Sequence, residues 1–167
     1  NAMEVISSGK LGYSRTNVAI PGLVGGPCLE KDPHILYQSG VDKGIKMEIT
    51  KAARSTNEVQ PIETTNFMVD SLKSRGFSGR IKASILGLAF KGVPETDDLR
   101  GSMSLKVLEN LRNSNCKFDI RLYDPVISNK DLASKFPNDK VCASIDEAID
   151  DAMLVVVCNN HKDFSHL

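Results

Sequence analysis

The stretch Lys82-Ala83-Ser84-Ile85-Leu86-Gly87-Leu88-Ala89-Phe90-Lys91-Gly92 passes from an apolar run into a glycine-bounded loop. A short apolar run that ends in turn residues reads as a strand, here at about Lys82 to Leu88. Beyond it the pattern alternates. A helix at about Ser104 to Arg112 is followed by a strand at about Phe118 to Tyr123 and a weak helix near Asp131 to Lys135. A short strand near Val141, a helix near Asp146 to Asp150 and a buried strand at Met153 to Val157 complete the series. Strands separated by helices predict an α/β fold with a parallel, doubly wound sheet and helices on its faces.

In such sheets ligands bind outside the carboxyl ends of the strands, where loops converge. Those loops begin at Gly87 to Arg100, at Tyr123-Asp124-Pro125 and at Cys158 to Lys162. The first carries Lys91 and Arg100, cations suited to phosphate oxygens, the guanidinium bidentately. It leads to a helix N-terminus near Ser102, whose amides favour anions. It is not the usual dinucleotide turn, because GxGxxG is absent and no Gly-Lys-Ser/Thr ending makes it a P-loop. The competing reading leaves Asp97, Asp98 and Arg100 as cap and surface ion-pair residues.

Upstream, Gly76 to Gly79 marks a boundary. From Val41 to Arg75 the spacing is helical, with Ile45, Ile49, Ala52 and Ala53 followed by Val59, Ile62, Phe67, Val69 and Leu72. Pro61 would break a single helix and suits the first turn of a second, so two helices are expected. Their apolar stripes suit either their own domain or a partner chain, and a dimer-forming segment is the favoured reading.

Before these helices lies Pro21-Gly22-Leu23-Val24-Gly25-Gly26-Pro27-Cys28-Leu29-Glu30-Lys31-Asp32-Pro33. Its glycines let the main chain approach a ligand, and its prolines stiffen both ends. Asp32-Pro33 predicts a helix start, with Asp32 as N-cap, and Ile35-Leu36-Tyr37 would fill a short helix ending near Gly40. Cys28 would lie ahead of that N-terminus beside Lys31, where a thiolate is favoured. A free cysteine also reads as a small buried hydrophobe, and a Gly/Pro run as a turn. Residues 4–20 are polar and glycine-dotted, with only Val18 to Ile20 strand-like.

The 167 residues carry no formal net charge and 41% hydrophobic residues, globular values that point away from nucleic acid and anionic membranes. No apolar run reaches a membrane span, and Asn1-Ala2-Met3 reads as a cloning scar rather than a leader. Cys28, Cys116, Cys142 and Cys158 form no CxxC, which suits a reducing compartment, hence the cytoplasm. Cys158 and His161 have ligand-like spacing, but no second pair accompanies them, so no metal is expected.

Both loop stretches, in this order, resemble the UDP-glucose/GDP-mannose dehydrogenase family. Pro21 to Asp32 resembles the family's Gly-Gly-x-Cys-(Leu/Phe/Ile)-x-x-Asp catalytic segment. Ile85 to Lys91 with Thr96-Asp97-Asp98-x-Arg100 resembles the first strand and loop of its C-terminal domain, and Ala53-Arg54-x-x-Asn57 its central dimerisation helix. The resemblance implies a helical central segment followed by a Rossmann-like doubly wound sheet, divided at 4–78 and 79–167. It implies oxidation of a sugar's terminal alcohol to a carboxylate with NAD, through a thiohemiacetal and thioester on Cys28, with Asp32 positioning water. Gly25, Gly26, Phe90 and Lys91 would contact the UDP-sugar, UDP-glucose or a UDP-N-acetylhexosamine. Lys10 would reach a neighbouring subunit's substrate, and Lys31 and Arg100 would bind NAD. Pro27, Glu30 and the longer Gly92 to Glu95 loop depart from the common pattern. The family's NAD-binding domain and the last C-terminal strand are absent from the sequence, so the chain is expected to be an inactive fragment. The alternative expectation is a non-catalytic nucleotide-sugar-binding and dimerisation module.

Overall fold

The computed structural model describes residues 1–9, 20 and 22–167. Strand β1 (Arg80–Leu86) is central and pairs in parallel with β2 (Lys117–Tyr123) on one side and β4 (Leu154–Val157) on the other. The short β3 (Lys140–Val141) pairs with β2, so the order is β3-β2-β1-β4. Three helices make the crossovers: α4 (Met103–Asn113), α5 (Asn129–Lys135) and α6 (Ile145–Ile149). Because strand order reverses after β3, α6 falls on the opposite face from α4 and α5. The sheet is therefore doubly wound, as the alternation predicts.

Side-chain alternation builds a core on each face. Ile85, Ile120 and Leu122 pack against Val107, Leu108 and Leu111 of α4 and Leu132 of α5. Leu86 packs on the other face with Cys142, Ala148 of α6 and Phe164 of a closing 3-10 turn, Lys162–Phe164. Ser84 faces α6 and donates to the Ala148 carbonyl. One expectation fails at β4. Within the described sheet it lies at the edge, and Val155 and Val157 are 41% and 45% exposed, because α6, which covers this face, lies over β1 and β2 rather than over β4.

The segment before the sheet consists of α1 (Ala2–Gly9), α2 (Asp32–Val41) and α3 (Glu48–Ser74). The polar reading of the first residues missed α1; the strand expected at Val18 to Ile20 falls largely outside the described residues. Helix α2 begins near Pro33, but the Asp32 side chain makes no capping bond; its carboxylate takes the Lys31 ammonium at 2.5 Å instead. Helix α2 ends at Val41, beside Gly40 as expected, and Gly40 is buried against Met47. The two helices expected around Pro61 are one continuous helix. Pro61 removes only one amide, and its ring is buried, so packing offsets the lost bond. Helix α3 packs on α4, Met68 reaching the core that α4 lines, and Val69 and Leu72 are buried with Arg54, Pro61 and Thr65 along its inner stripe. The apolar stripe read from the sequence is mostly a different one: Ile49 and Phe67 are 87% and 74% exposed, and Ile45, Val59 and Ile62 also face outward. No helix among the described residues is long and apolar enough to cross a membrane.

Candidate functional site

Three loops meet at the carboxyl edge of β1, β2 and β4, and one side chain organises the first two. Asp124, buried just after β2, accepts the Leu88 and Ala89 amides through Oδ2 at 2.7 and 3.0 Å. Its Oδ1 accepts the Val126 and Ile127 amides at 2.9 and 3.0 Å. A carboxylate holding four N–H groups replaces the ladder partners that the strands lose where they end. Ser104 at the start of α4 donates to the Leu88 carbonyl at 2.7 Å and shares a bond with Ser102. Phe90 and Lys91 are thereby fixed beyond β1, the Lys91 ammonium 5.1 Å from the Phe90 ring centre.

The loop then turns back, with the Phe90 amide donating to the Asp98 carbonyl at 3.0 Å. Arg100 forks onto Asp98, with Nη2–Oδ2 at 2.7 Å and Nε within 3.0 and 3.1 Å of the two oxygens. This pairing, with the Arg100 amide also donating, holds the Asp98 carboxyl down at about 2. The Arg100 side chain remains largely exposed.

The cysteine segment is seated on this loop. The Gly26 amide donates to the Gly101 carbonyl at 2.8 Å, so it already has a partner. Gly26 has φ +99, and a Cβ there would lie 2.7 Å from the Phe90 ring; only glycine allows both the turn and the approach. A Cβ on Gly25 would meet the Gly101 carbonyl at 2.3 Å. From the opposite side, Asn57 of α3 clasps Val24 through both its amide and its carbonyl, at 2.9 and 2.7 Å. Buried Arg54 donates to the Leu29 carbonyl at 3.2 Å and pairs with Glu58, which also meets His34.

Cys28 is exposed, in the turn that feeds α2, and its carbonyl accepts the Lys31 and Asp32 amides at 3.1 and 2.8 Å. Lys31 and Arg100 both lie within electrostatic reach of the thiol. Each is raised above its ordinary value mainly by its hydrogen-bonded carboxylate, Asp32 or Asp98, and to a smaller extent by Cys28. The structure thus gathers Cys28, Lys31, Asp32 and Arg100 around one turn, and sets Gly25, Gly26, Phe90 and Lys91 beside it. Lys10 lies outside the described residues.

Phe90 and Lys91 also line a cavity of about 520 Å³ together with Val157, Cys158, Asn159 and Asn160. The Cys158 thiol is pushed up to about 12 by burial, and His161 bonds Glu95 at 3.2 Å. Among the described residues, no three His, Cys, Asp or Glu side chains come together as a metal set. The reading of the sequence named the loops but not Asp124, Ser104, Asn159 or Asn160 as the groups that shape them. An acid immediately after a strand, and paired asparagines after another, were the available signals.

The UDP-binding-domain profile of the UDP-glucose/GDP-mannose dehydrogenase family matches residues 84–167. The chain is 36% identical over 160 residues to a UDP-N-acetyl-D-mannosamine dehydrogenase of Campylobacter jejuni, covering 91% of this chain and 35% of that protein. It is 32% identical over 146 residues to a UDP-glucose 6-dehydrogenase of Pseudomonas aeruginosa, covering 84% and 31%. A UDP-glucose dehydrogenase structure from Pyrobaculum islandicum shares the fold at TM-score 0.77, with 22% identity, over 96% of this chain and 36% of that one. The chain spans about a third of the length of the curated relatives it matches.

Proposed function

The chain belongs to the UDP-glucose/GDP-mannose dehydrogenase family, and on that footing we propose that it carries the nucleophilic cysteine and the UDP site of an NAD-dependent nucleotide-sugar dehydrogenase. Residues 4–78 are assigned the cysteine and the central helices, and 79–167 the nucleotide-binding unit. The observation that carries this reading is the seating of the Cys28 segment on the Phe90–Gly101 loop through Gly26. A thiol anchored to a cationic loop can meet the sugar of a molecule whose diphosphate that loop holds.

Lys91 would take the diphosphate, and the exposed face of the turn would receive the sugar. Cys28 would add to the C6 aldehyde carbon as a thiohemiacetal; after oxidation, water attacks the thioester carbon, the C–S bond breaks, and carboxylate and thiol result. Asp32, at the same turn, would orient that water and take its proton. Lys31 and Arg100 are exposed cations beside Cys28, a donor chemistry that fits the phosphates of NAD. NAD⁺ supplies the hydride acceptor, two equivalents for each CH2OH carried to carboxylate. The outward Ile49, Ile62 and Phe67 of α3 are assigned to a second copy of the chain.

The substrate is a UDP-sugar, UDP-glucose or a UDP-N-acetylhexosamine. The test combines thermal shift with alkylation of Cys28. UDP-sugars raise the melting temperature, and they slow iodoacetamide at Cys28 more than UDP does, because the sugar covers the thiol. No shift with any UDP ligand, or equal protection by UDP and UDP-sugars, refutes the reading.

A further inference from the structure

Asn159, Asn160 and His161, directly after β4, hold the first loop on both sides of Lys91. Asn159 Nδ2 donates to the Ala89 carbonyl at 3.2 Å, while its Oδ1 accepts the His161 amide at 3.1 Å. Asn160 Oδ1 accepts the Gly92 and Val93 amides at 3.1 and 3.2 Å. His161 is buried, and its Nδ1 accepts the Asp163 amide at 3.2 Å. In the neutral ring the proton then lies on Nε2, which donates to Glu95 Oε1 at 3.2 Å. Gly92 presses on this run so closely that a Cβ would lie 2.1 Å from the His161 nitrogen. The bonds fall at residue 89 on one side of Lys91 and at 92, 93 and 95 on the other. They include the Gly92 to Glu95 stretch that the sequence marks as extra length.

We propose that Asn159-Asn160-His161 is a positioning clamp that keeps the Ala89–Glu95 loop in the one arrangement that presents Lys91 to a nucleoside diphosphate. This rests on the UDP-site reading above. Asn159 and Asn160 share the cavity lining with Phe90 and Lys91, so the clamp acts at the site's wall. Its effect is on population. A loop that spends about one-tenth of its time in the competent arrangement binds about tenfold more weakly with its contacts unchanged.

The test compares the chain with N160A and N160D, measuring amide exchange and UDP affinity by calorimetry. In N160A, exchange at Gly92 and Val93 rises about tenfold or more while the β1 and β2 amides are unmoved, and UDP binds about tenfold more weakly. N160D keeps an oxygen acceptor, so its Gly92 and Val93 amides stay protected; its added charge is judged on exchange alone. The clamp is overturned if N160A leaves those amides protected, if exchange rises throughout the sheet, or if UDP affinity is unchanged. If the parent chain takes up no UDP, the proposed function fails, and the clamp stands or falls on whether N160A frees the Gly92 and Val93 amides.

Discussion

Replacing Asp124 by alanine removes the acceptor for four backbone amides at once. Two of them belong to Leu88 and Ala89, which are 0% and 2% exposed, so water cannot replace the carboxylate there. Each buried amide left unpaired costs about 1–3 kcal/mol, and the other two bonds add about 0.5–1.5 kcal/mol each at most. The expected loss is about 3–9 kcal/mol, a large part of the roughly 5–15 kcal/mol that stabilises a typical domain. For a chain of this size that corresponds to a fall in Tm of about 6 °C or more, at roughly 2–4 °C per kcal/mol. D124N should lie between wild type and alanine, since one oxygen survives while the new amide group points donors at donors. Urea unfolding followed by circular dichroism measures this, with the m-value required to stay constant. A D124A protein within about 1 kcal/mol of wild type would show that the loop satisfies its amides elsewhere, and the reasoning would fall.

Four further outcomes are expected. Gly26→Ala forces a side chain to φ +99 and against the Phe90 ring, and should destabilise by about 1–3 kcal/mol in thermal unfolding; an unchanged Tm would mean the seating is not as described. Because Arg100 holds Asp98 at about 2, below the 3.8 of a free carboxyl, its contribution is full above about pH 4 and fades as pH falls towards 2. D98N should lack that acid-side loss in melts across this range, and an identical pH slope in both proteins would contradict it. In native alkylation read by mass spectrometry, exposed Cys28 should react before buried Cys142 and before half-buried Cys158, whose thiol is pushed up to about 12; early labelling of Cys158 would contradict that shift. Sedimentation should show a dimer that Phe67→Asp dissociates, and a monomeric parent chain would remove the assignment of α3's outer face.

The sequence by itself determined the α/β class and the near-positions of β1, α4, β2, α5 and α6, because local periodicity records which residues face a core. It also located the loops that carry Cys28, Phe90-Lys91 and Arg100, since glycine, proline and charge cluster where chains turn. Only the tertiary structure decided the rest. Pro61 reads locally as a break, yet packing against neighbouring elements keeps α3 continuous. The apolar alternation of α3 suggested one face, while contact with α4 buries another. Met153 to Val157 reads as a buried strand, but burial depends on neighbours that composition does not specify, and β4 lies at the sheet's edge. Above all, the site is a set of long-range pairings: Asp124 with Leu88, Gly26 with Gly101 and Asn160 with Gly92. Hydrogen bonds between residues so far apart in the chain leave no local periodicity, and only the folded chain brings their partners together.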